Sequence, residues 1–496
     1  MSTNRILSGY EPANVLSFFE DICAIPHVSG DEKAIADYIE AFAKARGLIC
    51  YRDEVHNVFV KRPASEGHES APAVMLQGHT DMVGEKTADS VHDFSTDGLK
   101  LTVNGEGWIS ATDTTLGGDD GIAVAMMLAL LDNPPEPHPA LECLFTVSEE
   151  TGLEGAWAFD PAAAGATART MINLDSEAEG VITAGCSGGM RTDITLPVSC
   201  VPCEGAAVRI TLDGFTGGHS GVEIHEGHTN AIKALGRILL PLQPIYGLGL
   251  ISLQGGGKDN AIPRDCTAVV ALPDASRTEA LLRDVAAMAD LLRGEPNMIP
   301  ADKGFTCVAH AEDTPAFRMS DEGTQRVLSL LTLVRDGVLS MSAHVQGLVA
   351  HSRNLGIVKT LTDGEGKPTA VKFSMSTRSA SNSHLDDSER ELAMLAKTCG
   401  GDATHRARYP GWDYAPVSPL RDLWAAVNER LYGVTPRVEV IHAGLECGIH
   451  CDKLGNMDII SVGPDMRDIH TPREMLSIPS VERTYALVCE TLKELA

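Results

Sequence analysis

Glu142-Cys-Leu-Phe-Thr-Val147-Ser148-Glu149-Glu150 is a short apolar run that ends on two adjacent acids. A run of this length and composition reads as a buried strand. Two like charges at the end of such a strand are costly unless cations neutralise them. The same arrangement recurs along the chain. Residues 73–77 lead into His79, and residues 170–174 lead into Asp175. Residues 458–462 form a further apolar run upstream of His470. An apolar helix is expected over 122–131, directly after Asp119-Asp120-Gly121. Strands alternating with helices predict a layered α/β domain. Open α/β sheets place their sites just past the carboxyl ends of their strands, which is where these acids and histidines fall.

Further toward the N-terminus, a helix is expected over 31–45. Ile35, Tyr38, Ile39 and Phe42 recur there at helical spacing, and Ser29 and Glu32 are placed to form a capping box. The middle of the chain reads differently. Gly185-Cys-Ser-Gly-Gly189 precedes it and Gly400-Gly401 follows it. Between them, 208–212, 266–272 and 370–375 read as strands. Helices are expected over 229–240, 277–292, 324–334 and 387–396. This predicts an α+β domain over 187–398, inserted into a first domain that comprises 1–186 and 399–496. His470 lies beyond the insertion, so the first domain must be assembled from both ends of the chain.

The 496 residues are too many for one compact core. The 68 acids against 40 bases give a formal net charge of −28, which argues against nucleic acid or an anionic membrane as partner. The bland meaning of that acidity is solubility. The N-terminal stretch carries acids and prolines and does not read as a signal peptide. The longest apolar run, 122–131, is far too short to span a membrane. Twelve cysteines without framework spacing fit free thiols in a reducing cytoplasm. Cys200-Val-Pro-Cys203 has redox or zinc-knuckle spacing, but no second CxxC follows it.

The strand-end residues carry chemistry as a set. Imidazole is a strong zinc ligand whose second ring nitrogen needs a partner, and Asp81 stands two residues after His79 to serve as one. Thr114-Thr-Leu-Gly-Gly-Asp119-Asp120-Gly121 reads either as a Gly-rich turn with an Asp cap or as a loop bringing a carboxylate to two ions. Either Asp119 or Asp120 can be that bridge. Of the paired glutamates, Glu150 can ligate while Glu149 moves a proton. Asp175 and His470 complete the set. Each alone is more often structural; the ordered series H-x-D, D, E-E, D, H at strand ends is not.

With these motifs in hand, the sequence resembles the M20 family of co-catalytic zinc peptidases, and within it the dipeptidase group. The likeness runs nearly the whole length. It is carried by His79-Thr-Asp81-Met-Val, Val91-His-Asp-Phe94, Thr114-Thr-Leu-Gly-Gly-Asp119, Glu149-Glu150 and Asn173-Leu-Asp175-Ser-Glu177. Gly217-Gly-His219-Ser-Gly221, Asn260-Ala-Ile-Pro-Arg264, Tyr409-Pro-Gly-Trp412 and His442-Ala-Gly-Leu-Glu-Cys-Gly448 extend it. The resemblance implies a zinc-peptidase domain with a mixed sheet flanked by helices, plus an inserted α+β lid. It implies two divalent ions, zinc first and cobalt or manganese as alternatives. One is held by His79, Asp175 and Asp119, the other by Glu150, His470 and the same Asp119. Asp81 would orient His79 and Glu149 would act as general base. His219 would steady the oxyanion, Arg378 would grip the substrate carboxylate, and Asn260 is a weaker candidate for substrate contact. The family pattern usually reads Asp-Asn-Gly where this chain has Asp119-Asp120-Gly121, so an extra acid stands beside the bridge.

The resulting expectation is a cytoplasmic metallo-dipeptidase that hydrolyses unblocked dipeptides of the Xaa-His or β-alanyl-histidine type. The same ligand set also fits a tripeptidase, aminoacylase, carboxypeptidase or aminopeptidase. A metal- or peptide-binding protein without catalysis is a rival of another class, and the intact Glu149 argues against it, because binding needs no proton carrier. The inserted domain can complete the site within one chain or form the surface of a homodimer.

Overall fold

The computed structural model describes residues 5–496 apart from 344 and 456. The described chain divides into two compact units. The first runs up to Gly185 and resumes over Tyr414–Val440 and Leu445–Ala496; the second is Cys186–Asp413 with Ile441–Gly444. No described helix is long and apolar enough to cross a membrane.

The first unit is built on an eight-stranded mixed sheet. Its order is Ile49–Arg52, Val58–Arg62, Leu141–Thr146, Val74–His79, Thr170–Asn173, Asp458–Ser461, Val181–Cys186 and Arg437–Ile441. The strands 141–146, 74–79, 170–173 and 458–461 run parallel, with His79 opposite Thr146 and Gln77 opposite Asn173. This register aligns the carboxyl ends of three neighbouring strands, so the residues that follow them converge. Strand 74–79 and strand 141–146 are buried along their whole length, as expected for strands covered on both faces. The 122–131 run lies within the helix Gly118–Asp132, which is buried on every side except at its last residue. A helix that is apolar all round belongs in a core, and this one packs with the helix Ala13–Cys23 and the strand 74–79.

The expected N-terminal helix is Lys33–Ala45, shorter than 31–45, and the capping box is not formed. Ser29 Oγ instead donates to Asp81 Oδ2 at 2.8 Å. Glu32 Oε1 accepts from Ser148 N at 3.0 Å and from Ser148 Oγ at 2.8 Å. Partners elsewhere in the fold, the Asp81 carboxylate for Ser29 and the Ser148 N–H and hydroxyl for Glu32, engage both side chains in place of the helix terminus. The preceding helix, Ala13–Cys23, buries Val15, Leu16, Phe19 and Ile22.

The second unit carries an antiparallel sheet ordered Thr306–Glu312, Ala206–Asp213, Cys266–Leu272, Gly249–Gly255, Val349–Thr362, Pro368–Ser379, Gly188–Pro197 and Asp402–Tyr409, with Gly337–Met341 added to Val349–Thr362. The expected helices occur as Ala231–Tyr246, Thr278–Arg293, Asp321–Leu333 and Asn382–Thr398. They share one apolar core with this sheet. The unit extends past the 398 read from sequence, because the strand 402–409 pairs with 188–197. Cys200 and Cys203 are half-buried thiols.

Candidate metal centre

The five expected ligands meet in the first unit. His79 ends its strand at 1% exposure, with Nε2 3.1 Å from Asp119 Oδ1 and 3.6 Å from Asp175 Oδ1. His470 Nε2 lies 3.1 Å from the other Asp119 oxygen, Oδ2, and 2.8 Å from Glu150 Oε1. Asp119 thus turns one oxygen to each imidazole. Two trios of donor atoms result, His79–Asp119–Asp175 and Asp119–Glu150–His470, each within 4.8 Å and sharing Asp119. A third trio, His79–Glu149–Glu150, meets the same distance limit. The first two together use every imidazole and carboxylate of the set except Glu149. Imidazole and carboxylate donors at this density suit zinc, manganese or cobalt.

The turn that presents the glutamates is held from below. Asp81 Oδ1 accepts from Glu149 N at 3.0 Å, and Asp81 Oδ2 accepts from Glu150 N at 3.3 Å. Ser148 adopts a left-handed φ of 51°, held by both of its bonds to Glu32. Asp81 also faces His79. The ring Nδ1 lies 2.9 Å from the Asp81 carbonyl oxygen and 3.4 Å from its carboxylate. The nearer contact is therefore the backbone, and either one leaves Nε2 toward Asp119 and Asp175.

Charge at the site follows these contacts. Burial opposes the charge of Asp119, yet hydrogen bonds from His470 and His79 hold its carboxyl well below the usual range. Hydrogen bonds that His470 gives to the Asp119 and Glu150 carboxylates lift it to about 10. Burial, then the neighbouring Asp175, raises Asp120. Burial pushes Asp175 up to about 6. Glu149 is raised well above its ordinary value by burial and by Asp175, Glu446 and Glu150, against the pull of His79.

Sequence reading missed a buried network beneath the centre. Glu446, fully buried, accepts from Gln77 Nε2 at 2.6 Å and from Thr146 Oγ1 at 2.7 Å. Gln77 Oε1 in turn accepts from Asn173 Nδ2 at 2.6 Å. The network links three adjacent strands two residues before His79, two before Asp175 and three before Glu149. Its signal in sequence is limited to polar residues interrupting apolar strands.

His219, Asn260 and Arg378 lie in the second unit. Gly217 and Gly218 take φ of 74° and 130°, so the turn before His219 requires glycine. His219 Nδ1 accepts from the backbone N–H groups of Gly221 and Val222, both at 3.2 Å. Burial, with the nearby Arg378, lowers its pKa. A neutral ring with Nδ1 as acceptor carries its proton on Nε2 and is a donor there. Asn260 lends its carbonyl to Ser220 N at 2.9 Å, so it adjoins the same turn. Arg378 is buried, donates through Nη1 to Tyr409 Oη at 3.2 Å, and leaves Nε without a partner.

Comparison with known proteins agrees with this architecture. Residues 210–296 match the peptidase dimerisation domain of the M20 type, and residues 57–186 match peptidase family M28. The chain is 35% identical over 491 residues to the cytosol non-specific dipeptidase of Escherichia coli, covering 99% of both chains. The crystal structure of aminoacylhistidine dipeptidase from Vibrio alginolyticus superposes with a TM-score of 0.92 at 34% identity, covering 99% of this chain and 98% of that one. A tripeptidase from Staphylococcus aureus shares the fold, with a TM-score of 0.57 at 15% identity over 97% and 98% of the two chains.

Proposed function

This chain belongs to the M20 family of metallopeptidases, and from that premise we propose that it is a two-metal dipeptidase acting on peptides with a free amine and a free carboxylate. The observation that carries the reading is the pair of donor trios sharing Asp119, with Glu149 beside them and outside both. His79, Asp175 and one Asp119 oxygen would hold one ion; Glu150, His470 and the other oxygen would hold the second. When bound, the two ions supply Lewis acidity and make water a stronger acid near neutral pH. Zinc suits the donors, with cobalt and manganese as alternatives.

The chain's own groups move the protons. Glu149, half-buried beside the two trios that share Asp119, takes a proton from the attacking water on a carboxylate oxygen. It returns that proton to the nitrogen of the departing amine. Asp81 fixes both the His79 ring and the backbone of the 149–150 turn. The Nε2–H of His219 donates to the oxygen that becomes negative as the carbonyl turns tetrahedral. Arg378 offers a planar fork to the substrate carboxylate, and Asn260, in the turn beside His219, contacts the substrate backbone. The names of the two full-length relatives direct the substrate reading to unblocked dipeptides, Xaa-His among them. The cytoplasm is the proposed location, and the segment 210–296 is the proposed surface of a homodimer.

The test strips the protein with a chelator, reloads it with zinc, manganese or cobalt, and assays free, N-acylated and amidated dipeptides beside tripeptides. Free dipeptides should be cleaved fastest. Preference for tripeptides or N-acylated substrates would make it another hydrolase of the family. No turnover with any metal would leave a binding protein.

A further inference from the structure

Glu474 is 3% exposed and stands in the turn after His470, its own N–H donating to Thr471 O at 3.0 Å. Its carboxylate accepts from four consecutive backbone N–H groups. Oε2 takes Leu116 at 2.8 Å and Gly117 at 3.2 Å; Oε1 takes Gly118 at 2.8 Å and Asp119 at 3.4 Å. Gly117, ahead of the helix Gly118–Asp132, has no capping side chain of its own, and Asp119 and Asp120 at the helix entry lie outside helical φ/ψ. Backbone N–H groups buried in such an irregular entry need an acceptor from elsewhere, and Glu474 supplies it.

The backbone it holds is not one that helical propensity enforces. Gly117 is left-handed at φ 66°, and Asp119 has φ −83° and ψ 104°, outside the helical region. Space around it is tight. A Cβ at Gly117 would lie 2.8 Å from Met82 Sδ, and one at Gly118 would lie 3.3 Å from Glu474 Oε1. The glycines permit the close approach, and the carboxylate fixes what they permit.

We propose that Glu474 is a positioning residue for the shared ligand: it presets residues 116–119 so that the two oxygens of Asp119 face His79 and His470. Because Glu474 follows His470 by four residues, one short segment delivers a ligand and holds the bridge opposite it. The proposal rests on the reading of Asp119 as a ligand common to two ions.

Glu474→Gln tests it, because an amide keeps the shape and offers only one oxygen to four donors. Glu142→Gln is the control. Glu142 is equally buried and accepts from Thr167 and Ala168, at the opposite end of the strand that leads to Glu149. Metal affinity is read by competition with a graded chelator, and site geometry by the visible spectrum of the cobalt-loaded protein. Losing an outer partner of a ligand costs about 10- to 100-fold in metal affinity. Glu474→Gln should lose that much and shift the cobalt bands, while Glu142→Gln should lose stability alone. Wild-type affinity and spectrum in Glu474→Gln overturn the proposal. So does an equal loss of affinity in both variants. Hydrogen exchange on metal-free wild type decides the matter if the variant does not fold. Amides 116–119 should be as protected as those of 122–131, and exchange at the rate of an exposed loop overturns the preset clamp. Wild type that binds no metal would instead refute the two-metal reading.

Discussion

Replacing each of the two adjacent aspartates by asparagine should separate their roles. Asp119 is hydrogen-bonded on one oxygen to His79 and on the other to His470, and those bonds keep it ionised. Asp120 faces the other way. Its Oδ2 accepts the backbone N–H of His79 at 3.2 Å, and Oδ1 is buried without a partner. A Cβ at Gly78 would lie 2.5 Å from that Oδ2, so the carboxyl is pressed against the strand and away from the donor trios. Burial, then the neighbouring Asp175, raises its pKa. A carboxyl and a carboxamide differ little in shape, and asparagine can keep the bond from His79 N. The change should cost no more than about one hydrogen bond, ~1 kcal/mol.

Asp119→Asn removes a charge opposed to both ions. A unit pair about 4 Å apart at an effective dielectric of 20 is worth about 4 kcal/mol. That corresponds to roughly a thousandfold in affinity, for each of two ions. Elemental analysis after gel filtration should find two ions per chain in wild type and in Asp120→Asn, and next to none in Asp119→Asn. Activity should follow metal content. The reasoning fails if Asp120→Asn loses the ions and Asp119→Asn keeps them, because the side-chain directions would then not determine which acid bridges.

Glu149→Gln should lower kcat by about 100- to 10,000-fold while metal content stays at the wild-type value, as expected for a proton carrier that does not ligate; loss of metal in step with activity would make it a ligand. Arg378→Lys should raise KM for free dipeptides far more than for dipeptide amides, since lysine keeps the charge and loses the fork; equal effects on both substrates would remove Arg378 from carboxylate binding. His450→Leu should stabilise the protein increasingly as the pH falls. Burial holds His450 down to about 3, and neither ring nitrogen has a hydrogen-bond partner. Only the unfolded chain therefore takes up the proton below about pH 6.5, and native stability falls as the pH drops through that value, by about 2 kcal/mol at pH 5. Leucine lacks this loss, so urea melts at pH 8 and pH 5 should diverge between variant and wild type; parallel shifts at both pH values would mean that the ring titrates normally.

Three of the candidate ligands could be read from sequence because each stands at or just past the end of an apolar strand, and strand ends are visible as the point where an apolar run stops. His79 ends its strand, and Glu150 and Asp175 follow theirs by a few residues on aligned parallel strands, so reading the strands was nearly reading that part of the site. The choice between Asp119 and Asp120 was not available from the residues. Both occupy the same Gly-rich entry to an apolar helix, and only the direction of each carboxyl distinguishes them. The end of the inserted unit was missed for a different reason. Strand 402–409 reads Asp-Ala-Thr-His-Arg-Ala-Arg-Tyr, is largely exposed, and closes one edge of its sheet. Edge strands carry charge to prevent pairing with other chains, and that charge erases the apolar alternation by which a strand is recognised.

The supports of the site are the part least visible in sequence, and the cause is distance along the chain. Glu32 stands where a local rule assigns it to a helix terminus, yet its partner is Ser148, 116 residues on. Glu446 is 369 residues from Gln77, and Glu474 is 355 residues from Asp119. Each looks like an ordinary acid beside a turn or a helix start. Nothing in the neighbouring residues indicates that its carboxylate is buried, because the donors that make burial tolerable come from elsewhere in the fold. A buried carboxylate is stable only if such donors are already in place. Glu474 and the 116–119 backbone therefore depend on each other: without the four N–H groups the acid could not be buried, and without the acid the loop that carries Asp119 would leave its own N–H groups unpaired. That mutual requirement fastens the C-terminal segment, with His470, to a loop near residue 119, and it lets a centre assembled from both ends of the chain hold one geometry.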